Sequence, residues 1–126
     1  MKLTLNDLSH SLVDFIRTRN IGMIKFLVKD DAIFESDDSS RKGIDSILLN
    51  FQNMFDRFNV IEYDVHRIVS NEDERFSVVE FLFKYGIENE DGFSDVNIHK
   101  GTFHIQWSEP DEHENNKIEN LKIFLW

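Results

Sequence analysis

The chain changes its pattern of apolar residues in the stretch IDSILLNFQNMFDRFNVIEYDVHRIV, which covers residues 44–69. Up to Phe58, apolar side chains recur every third or fourth residue, which is the spacing of one helix face. Asp45 lies in the first turn of this predicted helix, where the helix dipole stabilises an anion. After Asn59 the apolar residues alternate, which predicts a strand. A helix that leads directly into a strand is therefore expected at the centre of the chain.

Helices are predicted before this stretch and strands after it. The expected N-terminal elements are a helix over about residues 4–18, a second from residue 21 to about 29, a short strand over 32–35 and a polar loop over 37–43. The expected C-terminal elements are strands over 60–69, 76–87, 93–107 and 117–126, joined by turns at 71–74 and 89–92 and an acidic loop at 108–116. Helices followed by antiparallel strands indicate the α+β class, with three N-terminal helices packed on the sheet.

Composition limits the class of protein and of partner. The 126 residues are 40% apolar, enough for a core, and we expect one domain over residues 1–126. Cysteine is absent, which excludes disulfide scaffolds and cysteine nucleophiles. The net charge of −10 argues against nucleic acid and anionic membranes as partners, because binding to phosphates depends on basic residues. No apolar run approaches the roughly 20 residues that span a bilayer, and no secretory signal begins the sequence, so we expect a cytoplasmic protein.

The histidines do not form a metal-binding pattern. The sequence has five of them, His10, His66, His99, His104 and His113. None pairs with another at the spacing that metal ligands require on a helix. The acidic segment 109–114 lacks the glycine and the ligand spacing of a calcium-binding loop. We therefore expect no metal and no cofactor.

The predicted strands carry apolar residues on both faces. An antiparallel sheet with one face in water should alternate cleanly, yet residues 78–83 are apolar at every position except Glu80. One face is expected to cover the helices and the other to meet a second copy of the chain, which makes a homodimer. The residues expected on this dimer face are Val79, Phe81, Phe83 and Tyr85.

Three stretches of the chain carry a resemblance to a known superfamily. They are NIGMIKFLVKDDAIF at residues 20–34, GIDSI at 43–47, and Phe103-His104-Ile105 followed by Lys117-Ile118. Together they resemble the nuclear transport factor 2-like superfamily, which includes ketosteroid isomerases, SnoaL-like polyketide cyclases and limonene epoxide hydrolases. The third stretch departs from the pattern, because Asn116 replaces the glycine expected before Lys117.

The resemblance implies a cone-shaped fold, in which a strongly curved sheet wraps the helices around a blind apolar pocket. Dimers through the outer face of the sheet are also typical of the superfamily. The residues expected to line the pocket are Leu12, Phe15, Phe34, Phe55, Tyr63, Arg67, Glu80, Phe103 and Ile105.

The resemblance does not extend to the catalytic residues of the isomerases. Those enzymes use an aspartate base with a tyrosine and a neutral aspartic acid. The matching positions here are Ser36 for the base, Leu12 for the tyrosine and Gly101 for the neutral acid. Isomerase chemistry of that kind is therefore not expected, and no set of residues matches the epoxide hydrolases.

Glu80 is the remaining candidate for acid or base catalysis. If Ser70 faces Arg75 in the hairpin, Glu80 points into the pocket near Arg67 and Tyr63. If the register slips by one residue, Glu80 lies on the outer face with Glu62, Asp64 and His66. A structural ion pair or a solvated glutamate is the simplest interpretation of either arrangement.

Three functions are open at this point. A small-molecule-binding protein predicts a cavity with few polar groups. An enzyme of SnoaL type, a cyclase, isomerase or hydratase, requires a titratable group such as Glu80 at the cavity wall. A dimeric interaction module predicts no useful cavity. We favour the binding of a small apolar molecule, because the isomerase residues are lost.

Overall fold

The computed structural model describes residues 3–36, 39–58, 60–88 and 94–125. These residues form three helices and six strands, and the α+β class is confirmed. In chain order the elements are α1 (Leu5–Arg17), α2 (Ile21–Phe26), β1 (Val28–Ser36), β2 (Ser39–Lys42), α3 (Ile44–Arg57), β3 (Val60–Asn71), β4 (Phe76–Glu88), β5 (Ser94–Trp107) and β6 (Ile118–Leu125). The turn predicted at 89–92 lies outside the described residues. No helix in the described part of the chain has the length and apolar character needed to cross a membrane.

Helix α1 begins at Leu5 because Thr4 caps it. The Thr4 hydroxyl accepts a hydrogen bond from the Asp7 amide at 3.1 Å, and the Asp7 carboxylate accepts one from the Thr4 amide at 3.1 Å. Its buried side, which includes Leu8, Leu12 and Ile16, packs into the core. The sequence predicted this helix to within one residue at each end.

The strands form one mixed sheet in the order β2-β1-β6-β5-β4-β3. Strands β1 and β6 run parallel, whereas the other neighbours in the sheet pair antiparallel. The sheet is curved around the helices in a cone and does not close.

Two predicted boundaries were wrong in this sheet. Residues 28–31, placed at the end of the second helix and in the link after it, belong to β1, because Val28 pairs with Ile118 of β6. Residues 39–42, predicted as a loop, form β2, which pairs with β1 from Ile33 to Ser36. β2 lies at the edge of the sheet, where a strand can be polar, and its composition therefore resembles that of a loop.

A β-bulge in β3 sets the faces of the central strands. Ser70 faces Ser77 rather than Arg75, and the register shifts between Val65 and Arg67. A bulge adds one residue to one strand and re-aims the side chains on either side of it. As a result, the odd-numbered residues 77–85 of β4 point to the inner face, which packs on the helices, and the even-numbered residues 78–84 point to the outer face.

A chain of hydrogen bonds links α1 to the strands β3, β4 and β5. The Trp107 indole donates to the Ser77 hydroxyl at 2.9 Å, and Ser77 bonds Ser70 at 2.8 Å. Because Ser70 donates to the side-chain oxygen Oδ1 of Asn6 at 2.6 Å, Ser77 is the donor in the bond to Ser70. Trp107 and Ser77 are fully buried, so these bonds satisfy polar groups that have no access to water.

Gly101 of β5 lies beneath the ring of Phe81. A Cβ atom built at Gly101 would lie 2.7 Å from Cζ of Phe81 and 2.7 Å from the carbonyl oxygen of Phe124. No larger residue fits without a shift of the ring or of the backbone. The glycine therefore lets Phe81 lie flat against the inner face.

Candidate functional site

A cavity of about 240 Å³ opens between α3 and the sheet at the inner face. Its apolar lining comes from α3 and four strands and consists of Phe34, Met54, Tyr63, Phe83 and Ile123. The sheet register explains this convergence, because Tyr63 lies opposite Phe83 across β3 and β4, and both side chains point inward.

The aromatic wall of the cavity is a stacked pair of rings. Tyr63 and Phe83 have centroids 4.6 Å apart and an angle of 15° between their planes. Phe81 also packs against Tyr63, with ring centroids 5.1 Å apart and an angle of 59° between the planes. Contacts among these rings hold the wall in place before any ligand arrives.

Tyr63 brings a hydroxyl group to this wall. The residue is only 3% exposed, and its Oη lies 4.0 Å from the sulfur of Met54. A thioether sulfur is a weak hydrogen-bond acceptor. An oxygen of a bound ligand could therefore replace it as the partner of the Tyr63 hydroxyl. Burial raises the pKa of Tyr63 well above its usual value, because the phenolate would lose its hydration. The group is a neutral hydrogen-bond donor at any ordinary pH.

The polar side of the cavity is formed by Ser36, Arg41 and Asn50. Arg41 of β2 pairs with Phe34 of β1, which places its side chain on the same face of the sheet as the Phe34 ring. Asn50 is an exposed residue of α3. In the described part of the chain, Arg41 and Asn50 make no hydrogen bond or ion pair with another residue. Their donors are therefore available to a ligand.

Only some of the residues predicted for the pocket line this cavity. Phe34 and Tyr63 do so. Leu12, Phe103 and Ile105 are fully buried in the core, Phe55 is buried in it, and Phe15 packs against it. These five side chains belong to the core or pack against it, and for that reason they do not line this cavity.

Glu80 and Arg67 do not point into the cavity. They face each other across β3 and β4 on the outer face, and both are exposed. Glu80 borders a cleft of about 320 Å³ on that face, next to His66 and Lys100. The bulge after Val65 is the physical reason, because it realises the slipped register in which Glu80 points outward.

The residues predicted for the dimer face are on the opposite side of the sheet. Val79, Phe81 and Phe83 are buried in the core, and Tyr85 packs against it. Burial against the helices leaves none of them available to a second copy on the outer face.

Sequence reasoning also missed a pair of polar rings on the inner face. The hydroxyl of Tyr85 lies 3.0 Å from Nε2 of His99, and the two rings stack with centroids 5.4 Å apart. Tyr85 also stacks on Phe83, the wall of the cavity, at 4.9 Å. Tyr85 and His99 lie diagonally across β4 and β5 on the same face of the sheet. This proximity follows from the pairing register of the two strands, which the sequence did not define.

The three positions matched to the catalytic residues of the isomerases lie in different parts of the structure. Ser36 lines the cavity, Leu12 is buried in the core, and Gly101 lies under Phe81. The described residues hold no cluster of three or more carboxylate or histidine groups that could bind a metal ion.

Comparison with known proteins identifies the fold. No protein-family model matches the chain, and no curated protein matches it in sequence. Solved structures match over nearly its whole length. A protein of Shewanella putrefaciens described as a candidate SnoaL-like polyketide cyclase matches with a TM-score of 0.79 and 8% identity, over 99% of this chain and 91% of its own. The chain has the nuclear transport factor 2-like fold.

Two further structures support this identification. A nuclear transport factor 2-like protein of unknown function from Cytophaga hutchinsonii matches with a TM-score of 0.72 and 13% identity, over 100% of this chain and 93% of its own. An LEH-like epoxide hydrolase from M. tuberculosis matches with a TM-score of 0.68 and 14% identity, over 94% of this chain and 80% of its own. At these identities the comparisons establish the nuclear transport factor 2-like fold and no activity, because this fold carries different chemistries.

Proposed function

We propose that the protein binds a small apolar molecule in the cavity between α3 and the sheet. The observation that carries this proposal is the cavity itself, with five apolar or aromatic side chains on its wall and a few polar groups on one side. Ligand sites commonly combine these two features. A volume of about 240 Å³ lies between the roughly 150 Å³ that holds benzene and the roughly 300 Å³ at which drug-sized pockets begin. We expect a ligand of one ring or a short chain.

Binding has more support than catalysis. Among the lining residues that the structure describes there is no aspartate, glutamate or histidine. General acid–base catalysis most often uses such a group within hydrogen-bond distance of the substrate. Tyr63 is the remaining titratable phenol of the described lining, and its raised pKa makes it a poor base near neutral pH. The hypothesis of a cyclase, isomerase or hydratase that uses Glu80 has no geometric support, since Glu80 lies on the outer face.

The homodimer remains a prediction, but the residues proposed for its interface differ from those predicted from the sequence. We propose the outer face as the dimer contact, with apolar residues such as Ile98, Leu82 and Val78 in place of the inward-pointing set. Ile98 is 57% exposed and lies diagonally across β4 and β5 from Leu82 on this face, and neighbouring exposed apolar residues are typical of an interaction surface. The cytoplasmic location likewise stays a prediction.

The proposal is tested by a panel of single-ring and short-chain compounds, with binding measured by calorimetry. Filling the cavity with Met54→Trp should weaken every compound that binds the natural protein, because the larger side chain occupies its space. Asn53→Trp is the matched control, because Asn53 is exposed on the same helix and does not line the cavity.

The two variants separate cavity binding from other outcomes. Binding that survives Met54→Trp, or that Asn53→Trp abolishes equally, would show that the compounds bind elsewhere. Failure of the whole panel to bind would remove the support for a small-molecule function.

A further inference from the structure

The polar side of the cavity consists of hydrogen-bond donors around one positive charge. Arg41 carries donors and no acceptor, and Tyr63 contributes a neutral hydroxyl. Asn50 carries amide donors as well. No acidic side chain lines the cavity among the described residues, so the described lining has a net charge of about +1.

The placement of Arg41 is fixed by the strand pairing. Arg41 and Phe34 are direct partners across the β1–β2 hairpin, and both line the cavity. The neighbouring glutamate, Glu35, lies one residue along β1 and therefore points to the other face. There it approaches Lys122 at 3.4 Å. The guanidinium is not neutralised by this carboxylate.

The overall charge of the chain opposes an anionic ligand only weakly. The net charge is −10, but charges separated by more than about 8 Å are largely screened at physiological salt. A guanidinium in direct contact with a ligand anion acts at hydrogen-bond distance. Its planar group of donors also matches the two oxygens of a carboxylate.

We propose that the ligand is a small apolar carboxylate, whose carboxylate is bound by Arg41 and Asn50 while its ring or chain packs on Tyr63 and Phe83. This inference rests on the proposed function and adds the chemical class of the ligand. The aromatic wall and the donor group lie on different elements of one cavity of about 240 Å³, so one small molecule can reach both.

The test compares acids with their neutral amides, which have nearly the same shape. The pairs are phenylacetate with phenylacetamide, cyclohexylacetate with cyclohexylacetamide, and hexanoate with hexanamide, measured by calorimetry at low and high salt. We expect at least one acid to bind about tenfold more tightly than its amide at low salt, which is the order expected for a partly exposed charge-assisted hydrogen bond. High salt should reduce the affinity of the acid and leave that of the amide unchanged.

Variants assign this preference to Arg41. Arg41→Gln should reduce the affinity of the acid about tenfold and leave the amide unchanged, whereas Arg41→Lys should retain part of the preference. Arg67→Gln is the matched control, since it removes the same charge from an exposed residue of the outer face and should change neither affinity.

Two outcomes would overturn the inference in distinguishable ways. Equal binding of acids and amides, or a preference that Arg41→Gln leaves intact, would refute the carboxylate class while the cavity remains a binding site. Absence of binding by all six compounds to the natural protein would overturn the carboxylate class together with the support for a single-ring or short-chain ligand.

Discussion

Gly101→Ala tests the inward placement of Phe81, on which the assignment of the two sheet faces depends. The added methyl group would lie 2.7 Å from the Phe81 ring and 2.7 Å from the backbone oxygen of Phe124. The Phe81 ring packs against Tyr63 and Phe103, with centroids 5.1 Å and 4.5 Å away, and the backbone oxygen belongs to the neighbouring strand β6. Overpacking of this kind costs about 1–3 kcal/mol, and two contacts at this distance favour the upper end, about 3 kcal/mol.

The assay is urea unfolding at a fixed protein concentration, with thermal unfolding as a second measurement. For a chain of this length, about 3 kcal/mol corresponds to a fall in Tm of roughly 10 °C. Gly22→Ala is the matched control, because a Cβ there meets only Asn20 Oδ1 at an ordinary 3.7 Å. Gly22 lies in α2, so alanine should raise the free energy of unfolding by about 0.5–1 kcal/mol.

A double-mutant cycle with Phe81→Leu isolates the contact with the ring. The two substitutions together should cost less than the sum of the single ones, by about 1 kcal/mol, because leucine leaves room for the methyl group. The contact with Phe124 remains in the double variant. If Gly101→Ala costs less than 1 kcal/mol, or if the two substitutions are additive, Phe81 does not lie over Gly101 and the assignment of the faces is refuted.

Three further predictions concern the core, the outer face and the buried phenol. Ser77→Ala should lower the free energy of unfolding by about 1–3 kcal/mol, because it leaves the Trp107 indole without a hydrogen-bond acceptor. Denaturant unfolding followed by tryptophan fluorescence measures this change. An unchanged free energy of unfolding would contradict the hydrogen-bond chain. Ile98→Glu should shift the mass measured by light scattering from that of a dimer to that of a monomer. Leu49→Glu, at a similarly exposed residue of α3, should leave the dimer mass unchanged. Equal masses for the natural protein and both variants would count against the outer-face dimer. Burial raises the pKa of Tyr63, so the unfolded state loses this proton first, and stability present below pH 10 should fall as the pH rises above it. Tyr63→Phe should reduce that fall in free energies of unfolding measured between pH 8 and pH 11, and an unchanged slope would show that Tyr63 is not its source.

The long periodic elements were predictable from the sequence. α1 and α3 each present a wide apolar stripe at helical spacing; Thr4 marks the start of α1, and Gly43 that of α3. The hairpin strands β3, β4 and β5 were predicted as well, because turn residues separate long apolar runs. The order of these elements was sufficient to predict the α+β class, and the three stretches that resemble the superfamily suggested the fold.

The faces of β4 were not predictable in the same way. Val78 and Leu82 on the outer face are as apolar as Val79 and Phe83 on the inner face, so composition does not distinguish the two. The distinction depends on the bulge in β3, and a bulge leaves little trace in a single sequence. Gly101 was the available signal, since a glycine within a strand indicates the close approach of another group.

The donor side of the cavity was missed for a related reason. Arg41 belongs to a strand that resembles a loop, and a residue in a loop has no assigned face. Asn50 is an exposed helix residue whose position at the cavity depends on how α3 packs on the sheet. Both positions follow from tertiary packing rather than from local pattern.

Methyl NMR of the protein during titration with the acids tests the central claim most directly, because it reports where a small molecule binds. Met54 and Ile123 line the cavity, whereas Met23 of α2 and Ile98 of the outer face do not. We predict saturable shifts of the Met54 and Ile123 methyl signals, with the Met23 and Ile98 signals unchanged. Saturable shifts confined to Ile98, or no shift at any of the four methyl groups, would contradict the assignment of the cavity as the binding site.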